Sequence, residues 1–333
     1  MATTVNSAFN EFMRDYVNLD SNVTASARSS RNWLIQQIDK FDQQDGFPTL
    51  YSDIDIHFGS FARKTKIREL DDIDLMFGLS AQQSTYLEYS SGKVEITVPD
   101  SAIGLYPLCH DYTDKLNSRK VINKFVASLK GISQYENADI KRNQEAATLK
   151  LRTYSWVFDI VPCFITASDS LGKDYYLIPD GNGHWKKTDP RIDKANISRI
   201  NKKHDGNVLN VIRLMKYWNR KASMPTMGSY LLECLLLSYL DTRGSVSSYI
   251  DLTIPDVLLH IHTAIFNAVA DPKNIQGNLN NLSYEDKQKI SSKAYSDYTK
   301  AIEARKAEDE KDHASSIKKW GEIFGGNFPK YTG

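Results

Sequence analysis

The segment from Gly59 to Leu75 constrains the fold of this chain more than any other stretch, and it reads GSFARKTKIRELDDIDL. Apolar residues alternate with polar ones just before it and again at its end, which predicts two strands of one sheet joined through the segment. Asp72 and Asp74 stand two residues apart on the second strand, so their side chains share one face of the sheet. Two carboxylates on one face repel each other unless a cation lies between them. Because Mg²⁺ prefers oxygen ligands together with substrate phosphates, we interpret the segment as a metal and phosphate site.

The Gly-Ser pair that opens the segment suits phosphate binding. Gly59 lets the backbone approach a phosphate closely, and the Ser60 hydroxyl and nearby amides can donate hydrogen bonds to phosphate oxygens. Neither this pair nor an Asp-x-Asp is specific alone, and another Asp-x-Asp, Asp53 with Asp55, is assigned to a solvated strand face. The ordered combination carries the interpretation, since Asp72 follows Ser60 by 12 residues and an apolar strand comes next.

A third carboxylate stands inside an apolar run. Asp159 lies in the sequence FDIVP, within the stretch 146–164 that we predict to be strand. An aspartate among core residues is unfavourable unless it is paired or hydrogen-bonded. A buried, hydrogen-bonded aspartate is the alternative, but the two upstream carboxylates favour a role for Asp159 as a third metal ligand.

These residues together resemble the GS-x(n)-DhD motif of the polymerase-beta-like nucleotidyltransferases, and FDIVP is similar to the third-carboxylate strand of the bacterial CD-NTases. The resemblance implies an α+β fold of the polymerase-beta-like nucleotidyltransferase type, with a mixed sheet in a catalytic lobe and a helical C-terminal lobe. It implies that Asp72, Asp74 and Asp159 hold two Mg²⁺ ions, with Mn²⁺ as an alternative ion. It also implies that Asp159 helps to activate the attacking sugar hydroxyl.

Two segments of the second half resemble nucleotide-binding elements of the group containing cyclic GMP-AMP synthase and oligoadenylate synthase. A helix is predicted over 207–221, and its RLMKYWN pattern implies that Lys216 reaches the triphosphate. In the GSYLL segment, the resemblance implies that Ser229 contacts phosphate and that Tyr230 stacks on the donor base. A solvated charge at Lys216 and a helix N-cap at Ser229 are the alternatives.

The predicted domains are a catalytic lobe over 1–190, including an N-terminal helix, and a helical lobe over 191–333 that completes the nucleotide site. Further helices are predicted over 21–41, 111–129 and 283–319. The polar stretch PDGNGHW near the boundary is predicted to be a connection, and its Trp185 is open between packing and base stacking. The ending from Ile317 to Pro329 resembles the tail of bacterial CD-NTases, whose Trp and Phe residues anchor the last helix.

Composition sets wide limits on partners and location. With 42 basic and 41 acidic residues the net charge is +1, which gives no push toward nucleic acid or an anionic membrane. Three widely spaced cysteines suggest neither a zinc site nor a disulfide framework, and no apolar run or signal peptide indicates a membrane partner. We therefore expect a soluble cytoplasmic protein. The clustered His and Cys insertion of animal cyclic GMP-AMP synthase is missing, so direct activation by double-stranded DNA is not expected.

The expected function is synthesis of a cyclic dinucleotide or trinucleotide from nucleoside triphosphates, ATP and/or GTP, with release of pyrophosphate. The resemblance implies a role in antiphage defence of the CBASS type, beside an effector that senses the product. The alternatives are a linear oligonucleotide, transfer of a nucleotide to RNA or protein, and a non-catalytic nucleotide-binding regulator. By the same resemblance, a ubiquitin-transfer-like partner is expected to act at Gly333, with a frayed terminus as the alternative. The residues leave open the bases, the linkage, the ring size, the activating signal and the oligomeric state.

Overall fold

A computed structural model describes residues 2–333, which divide into two compact units. The sheet unit comprises Asn22–Ala62 and Leu70–Arg191. The helical unit comprises the chain up to Ser21, the short segment Arg63–Glu69 and Ile192–Gly333. The predicted lobes, 1–190 and 191–333, remain a prediction; in the structure the N-terminal residues and the segment after the Gly-Ser pair cluster with the later helices.

All the strands of the described residues lie before residue 190, and the elements after it are helices. The helices are Val5–Phe12 (α1), Ser21–Ile38 (α2), Gly59–Ala62 (α3), Ser118–Lys130 (α4), Pro190–Lys203 (α5), Val208–Lys221 (α6), Ser229–Thr242 (α7), Ile254–Ala264 (α8), Tyr284–Asp309 (α9) and His313–Phe324 (α10). The strands are Ile56–Phe58 (β1), Asp72–Gly78 (β2), Thr85–Glu88 (β3), Val94–Thr97 (β4), Asp139–Asn143 (β5), Ala146–Lys150 (β6), Val157–Ile165 (β7), Tyr176–Pro179 (β8) and Trp185–Thr188 (β9). This is the α+β class that the sequence predicts.

The strands form one mixed sheet in the order β1-β2-β7-β8-β9-β4-β3, with β6 paired to β7 and β5 paired to β6. The pair β2 and β7 is parallel, and the other pairs are antiparallel. The first half of β7 lies between β2 and β6, and its last residues pair with β8. Strand β7 is therefore the strand through which the two halves of the sheet are joined.

One face of β2 and β7 is apolar and buried. Ile73, Leu75 and Phe77 on β2 and Phe158 on β7 are each at most 2% exposed. Helix α4 covers this face, with the Phe125 ring centroid 6.5 Å from that of Phe77. Because side chains alternate along a strand, the residues between these apolar ones point to the opposite face. That face carries aspartates at the start of β2 and β7 and a second buried apolar cluster, which includes Met76 and Val161, beyond them.

In the helical unit, aromatic residues of α1 pack against aromatic residues of α10 and the segment after it. The Phe9 ring lies 5.0 Å from Trp320 and 5.0 Å from Phe328, and Phe12 also lies 5.0 Å from Phe328. Trp320 and Phe324 are at most 1% exposed. The tail therefore anchors the last helix, as its sequence predicts.

Several predicted element boundaries are wrong, each for a local reason. The helix expected from residue 111 begins only at Ser118, because Cys109 and Leu116 form an isolated bridge and Asn117 caps the helix by accepting from the Arg119 N–H at 3.0 Å. The single helix expected over 283–319 breaks after α9. There Lys311 takes a φ of 66°, and Asp312 starts α10 by accepting from a backbone N–H.

The polar stretch near the predicted boundary is a hairpin of the sheet rather than a simple connection. Asp180 accepts hydrogen bonds from the N–H groups of Asn182 at 2.7 Å and His184 at 3.0 Å, which closes the turn between β8 and β9. Trp185 is fully buried and donates its indole N–H to the Leu116 carbonyl at 3.0 Å. Its role is therefore packing. Within residues 2–333, no helix has the length and apolar character needed to cross a bilayer.

Asp53 and Asp55 do not lie on a strand, so their assignment to a solvated strand face is wrong. Ser52–Ile54 is a short 3-10 helix, and Asp55 accepts the Gly78 N–H at 2.7 Å at the end of β2. Burial raises the pKa of Asp55 to about 7, although the Gly78 hydrogen bond opposes the shift. The folded protein thus keeps a proton on Asp55 that the unfolded chain releases near pH 4.

We predict that this proton makes folding pH-dependent. As pH rises from about 4 to about 7, the contribution of Asp55 to the free energy of unfolding should fall by roughly 2–4 kcal/mol, because the folded state must either bury a charge or hold a proton against rising pH. An Asp55→Asn variant keeps the acceptor for Gly78 and cannot titrate. Urea unfolding across this range should show the variant gaining stability relative to the wild type as pH rises; a constant difference would contradict the prediction.

Candidate active site

Three carboxylates lie on the face of β2 and β7 that α4 does not cover. Asp72 and Asp74 are on β2, and Asp159 is on the parallel neighbour β7, where it is the register partner of Asp74. All three are half-buried, whereas the apolar residues that alternate with them are buried. Since paired residues of adjacent strands point to the same face, the three predicted site residues occupy one face of the sheet unit.

Gly59 lies directly against this acidic face. Strand β1 ends at Phe58, which pairs with Asp74, and the chain turns at Gly59 with a φ of 70°. A Cβ atom at Gly59 would stand 1.7 Å from an Asp74 carboxylate oxygen. Only glycine has both this backbone conformation and the room for that carboxylate. Ser60 follows, half-buried, in the first turn of the short helix α3.

The donor set fits a hard divalent cation. Carboxylate oxygens are what Mg²⁺ and Mn²⁺ accept, and Mg²⁺ is usually held by one or two protein carboxylates together with substrate phosphates and water. Among residues 2–333, no three His, Cys, Asp or Glu side chains converge as a ready-made metal centre.

Lys216 lies in the helical unit, where it belongs to a buried ionic cluster. It is 5% exposed, its ammonium is paired with Glu233, and it also contacts the Thr65 hydroxyl at 3.3 Å. Arg63 donates to the same Glu233 carboxylate at 3.1 and 3.3 Å, and Thr65 donates to it at 3.0 Å. Lys216 is therefore neither a solvated surface charge nor an unpaired cation.

Burial and ion pairing act in opposite directions on the pKa values of Lys216 and Glu233. Burial lowers the pKa of Lys216, and the Glu233 carboxylate opposes that shift. Burial alone would raise the pKa of Glu233, but Arg63 and Lys216 outweigh it and hold the pKa below its ordinary value. Two cations thus share one carboxylate. Sequence reasoning missed Glu233 and Arg63; the one available signal was a single acid within the apolar run LLECLLL.

Ser229 and Tyr230 open helix α7 of the helical unit. Gly228 occupies the N-cap position, so Ser229 is the first helical residue and not the N-cap, and its side chain is exposed. Tyr230 is half-buried and donates its hydroxyl to Asp193 at 2.7 Å. The structure thus brings Asp72, Asp74, Asp159, Gly59 and Ser60 together in the sheet unit, and Lys216, Ser229 and Tyr230 in the helical unit.

Comparison with known proteins identifies relatives over the whole chain. No protein-family model matches it. A protein named as a probable cyclic nucleotide synthase, from Bacillus cereus, is 44% identical over 333 residues, which is 99% of both chains. A cyclic AMP-AMP-AMP synthase from Acinetobacter is 25% identical over 200 residues, covering 58% of this chain and 56% of that protein.

Solved structures share the fold at lower identity. CdnC from Escherichia coli MS115-1, solved with ATP, matches with a TM-score of 0.69 over 97% of this chain and 98% of that one, at 17% identity. The cyclic AMP-GMP synthase DncV of Vibrio cholerae matches with a TM-score of 0.58 over 83% of this chain and 70% of that one, also at 17% identity. The α+β fold is thus the polymerase-beta-like fold of these enzymes. With a full-length relative at 44% identity, the chain belongs to the bacterial CD-NTases and is a cyclic oligonucleotide synthase.

Proposed function

We propose that this chain is a Mg²⁺-dependent nucleotidyltransferase that joins nucleoside triphosphates, ATP and/or GTP, into a cyclic dinucleotide or trinucleotide and releases pyrophosphate. The observation that supports it is the register of Asp74 with Asp159 on adjacent parallel strands, with Gly59 packed against the Asp74 carboxylate. Asp72, on the same face, completes the set. In this proposal the three carboxylates, which come from two separate strands, are the donors for a metal-bound triphosphate.

In this proposal the sheet unit carries the chemistry. A ribose hydroxyl attacks the α-phosphorus, a new phosphodiester bond forms, and the bond to the pyrophosphate oxygen breaks. Asp72, Asp74 and Asp159 would hold two Mg²⁺ ions, or Mn²⁺, which would supply charge neutralisation on the triphosphate and a lower pKa of the attacking hydroxyl. Asp159 orients that hydroxyl. Gly59 leaves room for the Asp74 carboxylate, and Ser60 donates to a phosphate oxygen.

The helical unit supplies donor binding. Ser229 offers an exposed hydroxyl at the first turn of α7, and Tyr230 offers a ring to the donor base. Lys216 acts as part of its cluster with Arg63 and Glu233, in which two cations share one carboxylate. Catalysis then consists mainly of positioning and electrostatic stabilisation, as phosphoryl transfer generally requires.

The wider role belongs to the same proposal. We place the enzyme in the cytoplasm, where its substrates are abundant and its three buried, free cysteines stay reduced. Its product would signal to a separate effector in antiphage defence of the CBASS type. Activation by direct binding of double-stranded DNA is not expected.

The proposal predicts a phosphatase-resistant cyclic product. Purified protein with the four labelled ribonucleoside triphosphates and Mg²⁺ should yield it, chelation by EDTA should abolish it, and Mg²⁺ or Mn²⁺ should restore it. Asp72→Asn and Asp74→Asn should each lower the rate by at least about 100-fold, because each removes a charged metal ligand. Asp53→Asn is the matched control, since it changes an exposed carboxylate of the other Asp-x-Asp.

The products distinguish the alternatives. A linear oligonucleotide, or label transferred to RNA or protein, would replace the cyclic synthase with a different nucleotidyltransferase. Nucleotide binding without any product under all metal conditions would favour a non-catalytic regulator. A Mg²⁺-independent rate that survives both substitutions would overturn the assigned roles of Asp72 and Asp74.

A substitution at Gly59 tests the close approach of Asp74. Gly59→Ala should lower product formation by about 100-fold, because the added Cβ must displace the Asp74 carboxylate. Gly172→Ala is a matched control, since Gly172 has a φ of 73° and a Cβ there would meet nothing within 4 Å. Both variants carry the same backbone strain. Equal losses of activity at matched thermal stability would show that the clash with Asp74 is unimportant.

We also propose that Gly333 is the attachment point for a ubiquitin-transfer-like partner. The residue is exposed, and the preceding Thr332 N–H donates to the Ala2 carbonyl at 3.2 Å, so the tail is held at the surface of the helical unit. Intact mass spectrometry of protein co-expressed with its genomic neighbours should show an adduct at Gly333 that a Gly333 deletion abolishes. An adduct that persists in the deletion, or an unmodified wild type, would contradict this proposal.

A further inference from the structure

A buried polar network of the helical unit holds the hydroxyl of Tyr230. The hydroxyl lies 2.7 Å from an Asp193 oxygen and 2.9 Å from an Asp271 oxygen, and it also contacts the Lys273 ammonium. Lys273 forms ion pairs with Asp193 at 3.2 Å and Asp271 at 3.1 Å, and its side chain is 5% exposed. Each of the two carboxylates around the hydroxyl is therefore paired with the Lys273 ammonium.

Backbone N–H groups of the loop after α8 hold the Asp271 carboxylate of this network. Asp271 accepts N–H hydrogen bonds from Lys273 and Ile275 at 3.2 Å and from Gln276 at 3.0 Å, so the loop after α8 is wrapped around one carboxylate. Burial alone would raise the pKa of Asp271, but these N–H donors and Lys273 lower it to about 2. Asp193 comes from the first turn of α5. Two separate segments thus meet at the start of α7.

The ring of Tyr230 is also in contact with cations. The Lys273 ammonium lies 4.0 Å from the ring centroid, and the Arg63 guanidinium carbon lies 6.0 Å from it. Both distances are within the range of cation–π attraction. Both the hydroxyl and the ring are therefore in contact with charged side chains, which restrict the orientation of the ring.

We propose that Asp193, Asp271 and Lys273 are positioning residues that hold the Tyr230 ring in the orientation that stacks the donor base. This inference rests on the proposed role of Tyr230 as the base-stacking residue. A ring that is already ordered loses little conformational freedom when a base binds, so more of the stacking energy appears as affinity. The network also explains why a tyrosine stands here, since phenylalanine would supply the same ring without an anchor.

The inference separates two parts of the substrate. Loosening the ring should weaken recognition of the base and leave recognition of the phosphates unchanged. Tyr230→Phe is the sharpest variant, because Asp193 and Asp271 keep their ion pairs with Lys273 when the hydroxyl is removed. Lys273→Met removes the cation from both the hydroxyl and the ring, and Lys273→Arg restores a cation. Tyr284→Phe and Lys289→Met are matched controls at exposed positions of the same unit.

The experiment compares steady-state kinetics for nucleoside triphosphates with competitive inhibition by inorganic tripolyphosphate, which has no base. Tyr230→Phe and Lys273→Met should each raise KM by about tenfold with kcat within about twofold, a loss of the size expected for a hydrogen bond to a charged group. The inhibition constant of tripolyphosphate should stay within about twofold of the wild type. Lys273→Arg should recover part of the KM change, and the two controls should match the wild type.

Other results would overturn the inference. An unchanged KM in both Tyr230→Phe and Lys273→Met would show that the ring needs no anchor. If the variants bind nucleoside triphosphate and tripolyphosphate more weakly by the same factor and have a lower Tm, the network only supports the fold. A wild type that binds no nucleotide would overturn the proposed function. A wild type that makes product, with an unchanged KM in the variants, would overturn only the inference about the network.

Discussion

The main constraint on the sheet unit is that two carboxylates lie side by side on neighbouring parallel strands. Asp74 and Asp159 are register partners on β2 and β7, and adjacent strands lie about 4.8 Å apart. Two carboxylates this close repel each other when both are ionised, so the strands also need a favourable contribution from elsewhere in the sheet. The opposite face supplies it, with buried apolar residues of β2 and β7 packed under α4. Apolar burial on one face thus holds together the two strands that carry the carboxylates of the other face.

The helical unit carries the complementary electrostatic arrangement. There two cations, Arg63 and Lys216, surround the single carboxylate of Glu233. Breaking one member of a buried ionic group leaves an uncompensated charge and typically costs about 3–5 kcal/mol, so the arrangement is rigid. A metal-bound nucleoside triphosphate needs both kinds of site: carboxylates for the metal and positive charge for the phosphates. In the proposed function, the carboxylates of the sheet unit serve the metal, and Arg63 and Lys216 of the helical unit serve the phosphates.

The strand-borne part of the site was predictable from sequence because its signal is local. Alternation around Asp72, Asp74 and Asp159 placed all three on strands and the first two on one face, and the structure adds the register that joins the third. The polar networks were not predictable in the same way. Glu233 and Lys216 are 17 residues apart, and Glu233 and Arg63 are 170 apart, so no periodic pattern links them. The early start predicted for α4 failed because an isolated bridge occupies the residues before its cap.

Arg63 connects the two networks of the helical unit. Its guanidinium donates to Glu233, the partner of Lys216, and lies 6.0 Å from the Tyr230 ring centroid, the ring that Asp193, Asp271 and Lys273 hold. The residues assigned to the phosphates and to the base are therefore parts of one continuous set of ionic and cation–π contacts. Because buried polar networks tend to specify a single arrangement when every member is satisfied, the spacing between the two is set when the unit folds and not when substrate binds. If these residues bind the substrate as proposed, binding energy from the base and from the phosphates adds without further ordering of the protein, which is the condition under which positioning contributes most to phosphoryl transfer.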